Sequence, residues 1–133
     1  MNIKTWLKAY AAAWLVLAAL DALWLGWLAR DFYREQMGEL MSDQVRLLPA
    51  VLFYLGYPAA LVSLGLMPRP ASMRTAVLRS AGLGVMAYAT YDLTNWATLA
   101  VWSGTLAAVD VTWGAVISGA AGLAAWWVSR PRA

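Results

Sequence analysis

The stretch from Trp6 to Leu28, WLKAYAAAWLVLAALDALWLGWL, decides the fold class of this chain. A membrane-spanning helix needs about 20 predominantly apolar residues, and this run is long enough. It is also longer than the apolar centre of a secretory signal peptide, and no typical cleavage site follows it. We therefore interpret the run as an uncleaved membrane span.

Three more apolar runs follow the first one. A segment inside a bilayer has no water to bind its backbone groups, so each run is expected to be a helix. The sequence predicts an all-α membrane protein of one domain, residues 1–133, built as a four-transmembrane-helix bundle. The predicted spans cover about residues 6–28, 47–67, 75–102 and 106–128.

Two features of the spans predict how they bend and pack. Pro58 lies in the middle of the second span and predicts a kink there. Gly114, Ser118 and Gly122 place small residues at every fourth position of the last span. Such spacing is typical of helices that approach a neighbour closely inside a membrane.

The composition excludes several classes of function. Hydrophobic residues make up 62% of the chain and charged residues 13%, whereas soluble domains carry about 25% charged residues. There is no cysteine and no histidine, so disulfides, thiolate nucleophiles and the commonest zinc and haem ligands are absent. We expect no metal and no cofactor. The basic residues flank apolar runs instead of covering a soluble face, so no nucleic-acid partner is expected.

The distribution of basic residues predicts the orientation. With four spans, the two termini and the loop between spans 2 and 3 lie on one side of the membrane. The positive-inside rule places the more basic side in the cytoplasm, so both termini are expected there. Trp27 and Trp102 are expected at the outer interface. The basic residues on the cytoplasmic side are Lys4, Lys8, Arg69, Arg74, Arg79, Arg130 and Arg132, against Arg30, Arg34 and Arg46 on the other side.

The loop between spans 1 and 2, RDFYREQMGELMSDQVR (residues 30–46), predicts a short interfacial helix. Its apolar side chains fall on one helix face. The helix either rests on lipid or covers an outward-facing site as a lid. The residues of this predicted apolar stripe are Phe32, Met37, Leu40 and Met41.

Three aspartates lie inside the predicted spans: Asp21, Asp92 and Asp110. Helical rise places all three in the outer half of the bilayer. An aspartate deep in a span costs about 2.5–3.5 kcal/mol on insertion scales, and tends to face the interior of a bundle where it finds a partner. We therefore expect the three to converge on one outward-opening polar pocket. Carboxylates this close cannot all stay ionised, so a bound proton, a cation or an arginine from the rim is expected there.

The side chains around these acids complete the candidate site. Asp92 is the candidate acid/base, with Asp110 or Asp21 as its partner and Asn95 as the orienting group. Each acid is followed three or four residues later by a tryptophan on the same helix face. The other candidate ligand-binding side chains are Tyr88, Tyr91, Thr98, Thr112, Trp24, Trp96 and Trp113.

Three hypotheses for the function remain open. The first is an enzyme whose carboxyl groups protonate and deprotonate a lipid-soluble substrate, with tryptophan faces stabilising a developing cation. The second is a binding or transport module for a proton, a small cation or an amine, in which case the short chain is expected to form a homodimer. The third is an accessory subunit of a larger membrane complex, whose polar groups hydrogen-bond between helices.

Four strings of the sequence resemble a known family: AVLFYLGYPAAL, AYATYDLTNWATL, VDVTWGAVISG and DFYREQMGEL. The chain resembles, over nearly its whole length, a bacterial family of four-span membrane proteins catalogued as domain of unknown function 2177. The resemblance implies an integral inner-membrane protein and no established activity. Its signature positions would be Asp21, Tyr91, Asp92, Asn95, Thr98, Asp110, Trp113 and Gly114.

Overall fold

The computed structural model describes residues 1–131, and this part of the chain is helical without any strand. Five α-helices carry the fold, and two of them end in a π-helical turn. The elements in order are α1 (Ile3–Leu23) with a π turn (Trp24–Leu28), α2 (Arg30–Met37) with a 3-10 turn (Gly38–Leu40), α3 (Leu47–Ala60) with a π turn (Leu61–Gly65), α4 (Met73–Thr98) and α5 (Gly104–Val128).

Three helical segments among the described residues are long and apolar enough to cross a membrane: Ile3–Leu28, Leu47–Gly65 and Gly104–Val128. They match predicted spans 1, 2 and 4, and they support a multi-pass membrane protein. Helix α4 has 26 residues, enough length for a span, but its arginines and its polar run around Asp92 leave it less apolar than the other three. Its crossing therefore stays a prediction.

Side-chain caps set the starts of the long helices. The Asn2 side chain accepts a hydrogen bond from the Thr5 amide at 2.9 Å. Ser72 accepts one from the Thr75 amide, and Ser103 one from the Leu106 amide. Each cap binds a backbone N–H that the first helical turn leaves unpaired.

Helices α4 and α5 pack along each other at very short distance. A Cβ atom at Gly84 would lie 2.1 Å from the carbonyl oxygen of Gly114. A Cβ atom at Gly122 would lie 1.9 Å from the Ser80 hydroxyl oxygen. The predicted close approach of this face of α5 is therefore present, and only glycine permits it. Helix α1 packs on α5, and α3 is attached mainly through α1.

The buried residues of α1 recur at every fourth position: Ala9, Ala13, Leu17 and then Asp21. Asp21 thus continues an apolar stripe instead of facing lipid. Asp92 likewise lies on the buried face of α4. The aspartates sit beyond a large apolar core, formed by residues such as Leu17, Leu61, Leu66 and Ile117.

Two local predictions are wrong. The predicted apolar stripe of the 1–2 loop does not form, because α2 ends at Met37 before Gly38, whose φ is +52°. Leu40 and Met41 lie beyond the helix and are exposed, while Tyr33 is the buried residue. Trp102 is not at an interface with lipid, since only 6% of it is exposed. The predicted kink at Pro58 is untested, although α3 turns into π geometry three residues later.

Candidate functional site

Asp92 of α4 and Asp110 of α5 form a buried carboxyl pair. Asp92 is 0% and Asp110 9% exposed, and their carboxyl groups are neighbours in the structure. The indole Nε1 of Trp102 donates to Oδ1 of Asp92 at 3.3 Å. Oδ2 of Asp92 is buried and has no hydrogen-bond donor among the described residues. Because ionised carboxylates carry no donor, one proton held between the two acids would satisfy this oxygen.

Helix α2 supplies a hydroxyl group to the pair. The Tyr33 hydroxyl donates to Oδ1 of Asp110 and accepts a hydrogen bond from Trp24 Nε1 at 3.2 Å. Burial, together with the hydrogen bond to Asp110, raises the pKa of the Tyr33 phenol above its ordinary value. A second contact holds α2 in place, because the Ser103 hydroxyl donates to Gln36 Oε1.

Asp21 has its own two donors on other helices. Trp113 Nε1 of α5 donates to Oδ1 at 2.9 Å, and the Tyr54 hydroxyl of α3 donates to Oδ2 at 2.6 Å. Only 5% of Asp21 is exposed. Three helices therefore meet at this one carboxylate.

A stacked pair of indoles joins the two carboxyl centres. The rings of Trp24 and Trp113 are 4.5 Å apart and inclined by 9°. Trp113 donates to Asp21, and Trp24 donates to Tyr33, which in turn contacts Asp110. The three aspartates thus belong to one connected polar network, while their convergence on one pocket stays a prediction. Within residues 1–131, no three acidic, histidine or cysteine side chains are placed to hold a metal ion.

Among the described residues, the other predicted aromatic side chains make no hydrogen bond to the three acids. Trp96 is exposed and covers Gly104, where a Cβ atom would meet its ring at 2.8 Å. Tyr91 is exposed and meets the Trp102 ring edge-on. Tyr88 is half-buried and fills the space at Gly114.

The predicted polar ligands are engaged differently. The hydroxyl of Thr98 donates to the carbonyl oxygen of Thr94, and that of Thr112 to the carbonyl oxygen of Ala108. Both hydroxyls therefore bond to the preceding turn of their own helix. Asn95 is half-buried and lies three residues after Asp92 on α4.

Three donors of the network were not predicted: Tyr33, Tyr54 and Trp102. All three carry a polar tip on an aromatic body, which needs a partner once buried. Tyr54 lies in a span without any charge, and Tyr33 lies in the family string DFYREQMGEL, so both had a signal in the sequence. Trp102 had no such signal, because a tryptophan at the end of a span is equally typical of a residue at the membrane interface.

A cleft of about 540 Å³ opens between α1 and α3 beside Asp21. Its polar groups are Asp21 and Tyr54, with the Trp14 indole. A second cleft of about 520 Å³ lies against the stacked pair Trp24 and Trp113, next to Thr112. The remaining walls of the first cleft are formed by Ala18, Ala22, Leu25, Gly26, Ala50 and Val51.

Comparison with known proteins matches the chain to a family. A family model described as "Predicted membrane protein (DUF2177)" matches residues 6–127, which is most of the chain. No curated protein and no solved structure matches the sequence.

Proposed function

Because the chain belongs to the DUF2177 family of predicted membrane proteins, we propose that it is a four-span protein of the bacterial inner membrane that binds a lipid-soluble small molecule in its outer half. The fourth span is α4, whose 26 residues suffice to cross the hydrocarbon layer. Close packing on α5 favours this assignment, because it keeps the polar Asp92 away from lipid.

Both termini then lie in the cytoplasm, on the side that carries most of the basic residues. The segment between α1 and α3 lies on the outer side, where α2 rests at the interface. Its charged residues, including Arg30, Asp31 and Arg34, are exposed, and its apolar ring of Tyr33 is buried. This arrangement suits a helix lying flat at a membrane surface.

The cleft beside Asp21 carries the proposal. Its walls are apolar, and it lies between two helices that are both apolar enough to span a membrane. A ligand dissolved in the bilayer therefore reaches it sideways without crossing water. Asp21 and Tyr54 at its wall would bind one polar group of the ligand, while the rest of the ligand contacts alanine, valine and leucine.

The hydrogen bonds of Asp21 indicate which polar group of a ligand it can bind. Each of its carboxylate oxygens accepts one hydrogen bond, from Trp113 and Tyr54, and a carboxylate has about four acceptor positions in all. The group it binds is therefore a donor, either an amine or a hydroxyl. An ammonium group fits best, because no Lys or Arg hydrogen-bonds to Asp21 among the described residues and a buried carboxylate gains most from a cationic partner.

Proton exchange is the second candidate function, and the pair Asp92 and Asp110 favours it. Oδ2 of Asp92, which has no donor among the described residues, and the adjacent Asp110 carboxyl group would form a site for one proton. Tyr33, held by α2, closes this site from the outer side. Movement of α2 would open a path for the proton, as acidic residues in transporters require.

Photo-crosslinking tests the ligand site. The purified protein is reconstituted in lipid and exposed to a long-chain amine carrying a diazirine, and in parallel to a diazirine hydrocarbon of equal length. We expect the amine to label peptides that contain Asp21 and Tyr54. Asp21→Asn keeps the shape and an acceptor for Trp113 but removes the negative charge, so labelling by the amine should fall about tenfold or more, which corresponds to at least ~1.4 kcal/mol.

Asp31→Asn is the matched control, since Asp31 is exposed on α2 and lines neither cleft. The amine should label this variant as strongly as it labels the unchanged protein. Equal labelling of the Asp21→Asn variant, or equal labelling by the amine and the hydrocarbon, would show that Asp21 only connects helices. Thermal unfolding of each variant verifies that the fold is retained.

A further inference from the structure

A large cleft lies at the opposite end of the described chain from the aspartates. It has a volume of about 850 Å³ and opens between the beginning of α1 and the end of α5. Two basic residues line it, Lys8 and Arg130, together with Thr5 and Trp127. No acidic residue is among its lining residues, which also include Ala11, Ala12, Leu15, Val128 and Pro131.

Arg130 is oriented by the neighbouring tryptophans. Its guanidinium carbon lies 3.6 Å from the centre of the Trp127 ring and 5.3 Å from that of Trp126. Nε donates to the carbonyl oxygen of Trp127 at 3.4 Å. The two terminal nitrogens make no hydrogen bond to the described residues, so they remain able to bind an oxyanion.

The floor of this cleft argues for a ligand with a hydrocarbon chain. Ala11, Ala12 and Leu15 run along α1 from Lys8 toward the membrane centre. Both helices that form the cleft are apolar enough to span a membrane. The two cations therefore lie at the level of lipid headgroups, and the apolar floor lies at the level of acyl chains.

We propose that this cleft binds an anionic phospholipid of the cytoplasmic leaflet. The phosphate contacts Lys8 and Arg130, the Thr5 hydroxyl contacts a polar headgroup oxygen, and one acyl chain lies on the alanine and leucine floor. Charge complementarity selects an anionic lipid over a zwitterionic one. The site is independent of the ligand proposed for Asp21, because it uses none of the same residues and lies at the other end of α1.

Native mass spectrometry of the protein in uncharged detergent tests the site. Phosphatidylglycerol and phosphatidylcholine with identical acyl chains are titrated in parallel, with inorganic phosphate as a third probe. We expect phosphatidylglycerol to bind more tightly. In the double variant K8Q/R130Q its affinity should fall about 25-fold, or about fivefold for each basic residue at ~1 kcal/mol each.

The matched control is K4Q/R74Q, which removes the same charge from exposed residues outside the cleft. Its affinity for phosphatidylglycerol should fall less than threefold. Ala11→Trp leaves both charges in place and fills the floor, so it should lower the affinity for the long-chain lipid while a lipid with very short chains binds as before. These results together support the site.

Three results overturn it. Equal losses in K8Q/R130Q and K4Q/R74Q indicate attraction to the overall charge of the surface. Equal binding of the two lipids shows that the headgroup charge is not recognised. Displacement of the lipid by inorganic phosphate, with no effect of Ala11→Trp, shows that the cleft binds free phosphate instead.

Discussion

Asp92 is a fully buried acid, and one of its oxygens has no donor among the described residues. Its other carboxylate oxygen accepts a hydrogen bond from Trp102, and the Asp110 carboxyl group is its neighbour. Two ionised carboxyl groups in contact at low dielectric repel strongly, whereas a shared proton turns the same contact into a hydrogen bond. The geometry therefore favours a protonated pair.

Infrared spectroscopy measures this proton directly. The unchanged protein in lipid at neutral pH should show the carbonyl band of a protonated carboxylic acid. The band should disappear in Asp92→Asn, because the amide nitrogen then donates to Asp110 in place of the shared proton. It should remain in Asp21→Asn, because the Asp21 carboxylate of the unchanged protein already has two donors and lies outside this pair. A band that persists without Asp92 would contradict the shared proton.

Stability measurements separate this role from simple packing. Asp92→Asn retains an acceptor for Trp102, so we expect its unfolding free energy to change by less than about 1 kcal/mol. Asp92→Leu leaves the Trp102 N–H buried without a partner, which costs about 1–3 kcal/mol.

At the scale of elements, the contact between α4 and α5 positions the carboxyl pair. Gly114, Ser118 and Gly122 let the two backbones approach, and the Ser118 hydroxyl lies 2.7 Å from that of Tyr57 on α3. Asp110 lies one turn before Gly114 on the same face of α5. The distance between the acids thus depends on small residues that take no part in the chemistry.

A glycine substitution tests this dependence. In Gly122→Ala the new methyl group would overlap Ser80, so the helices must separate, and we expect a loss of about 1–3 kcal/mol in detergent unfolding. In Gly82→Ala, on α4, nothing lies within 4 Å of the new atom. The unfolding free energy of that control should rise by about 0.5–1 kcal/mol, because alanine has a higher helix propensity than glycine. Similar effects of the two substitutions would exclude close packing at Gly122.

At the scale of the whole molecule, the open question is whether α4 crosses the membrane. It is long enough but less apolar than the other three long helices. Burial of Asp92 and contact with α5 reduce the polar surface that α4 would show to lipid. Tertiary packing would therefore let a helix that is marginal on composition alone cross the membrane, and this crossing stays a prediction.

The absence of cysteine makes this crossing measurable. Single cysteines at Val45, Ala71 and Ala100, all exposed, are labelled in intact cells with a maleimide that does not cross the inner membrane. Four spans predict labelling of Val45→Cys and Ala100→Cys from outside, and of Ala71→Cys only after the membrane is opened. If α4 stays on one side, Ala71→Cys and Ala100→Cys will label alike.

The site could be predicted only in part. The three aspartates and the tryptophans Trp24 and Trp113 were chosen from the sequence, and the structure places them in one network. Whether they act on a ligand remains a prediction. The sequence predicts Thr98 and Thr112 as ligands because of their hydroxyl groups, yet both hydroxyls bond to their own helices, where a carbonyl oxygen lies within reach four residues earlier.

The sequence by itself determined the helical, membrane-embedded class of this protein, because hydrogen bonding within a helix is local and burial in lipid depends on composition. It also determined that three acids would need partners. Only the tertiary structure decided which partners they have. Tyr33, Tyr54 and Trp102 come from elements far along the chain or from a turn, and the rotation and spacing of packed helices bring them to the carboxyl groups. Those angles follow from the contacts of small residues across α4, α5 and α1, and no local pattern specifies them.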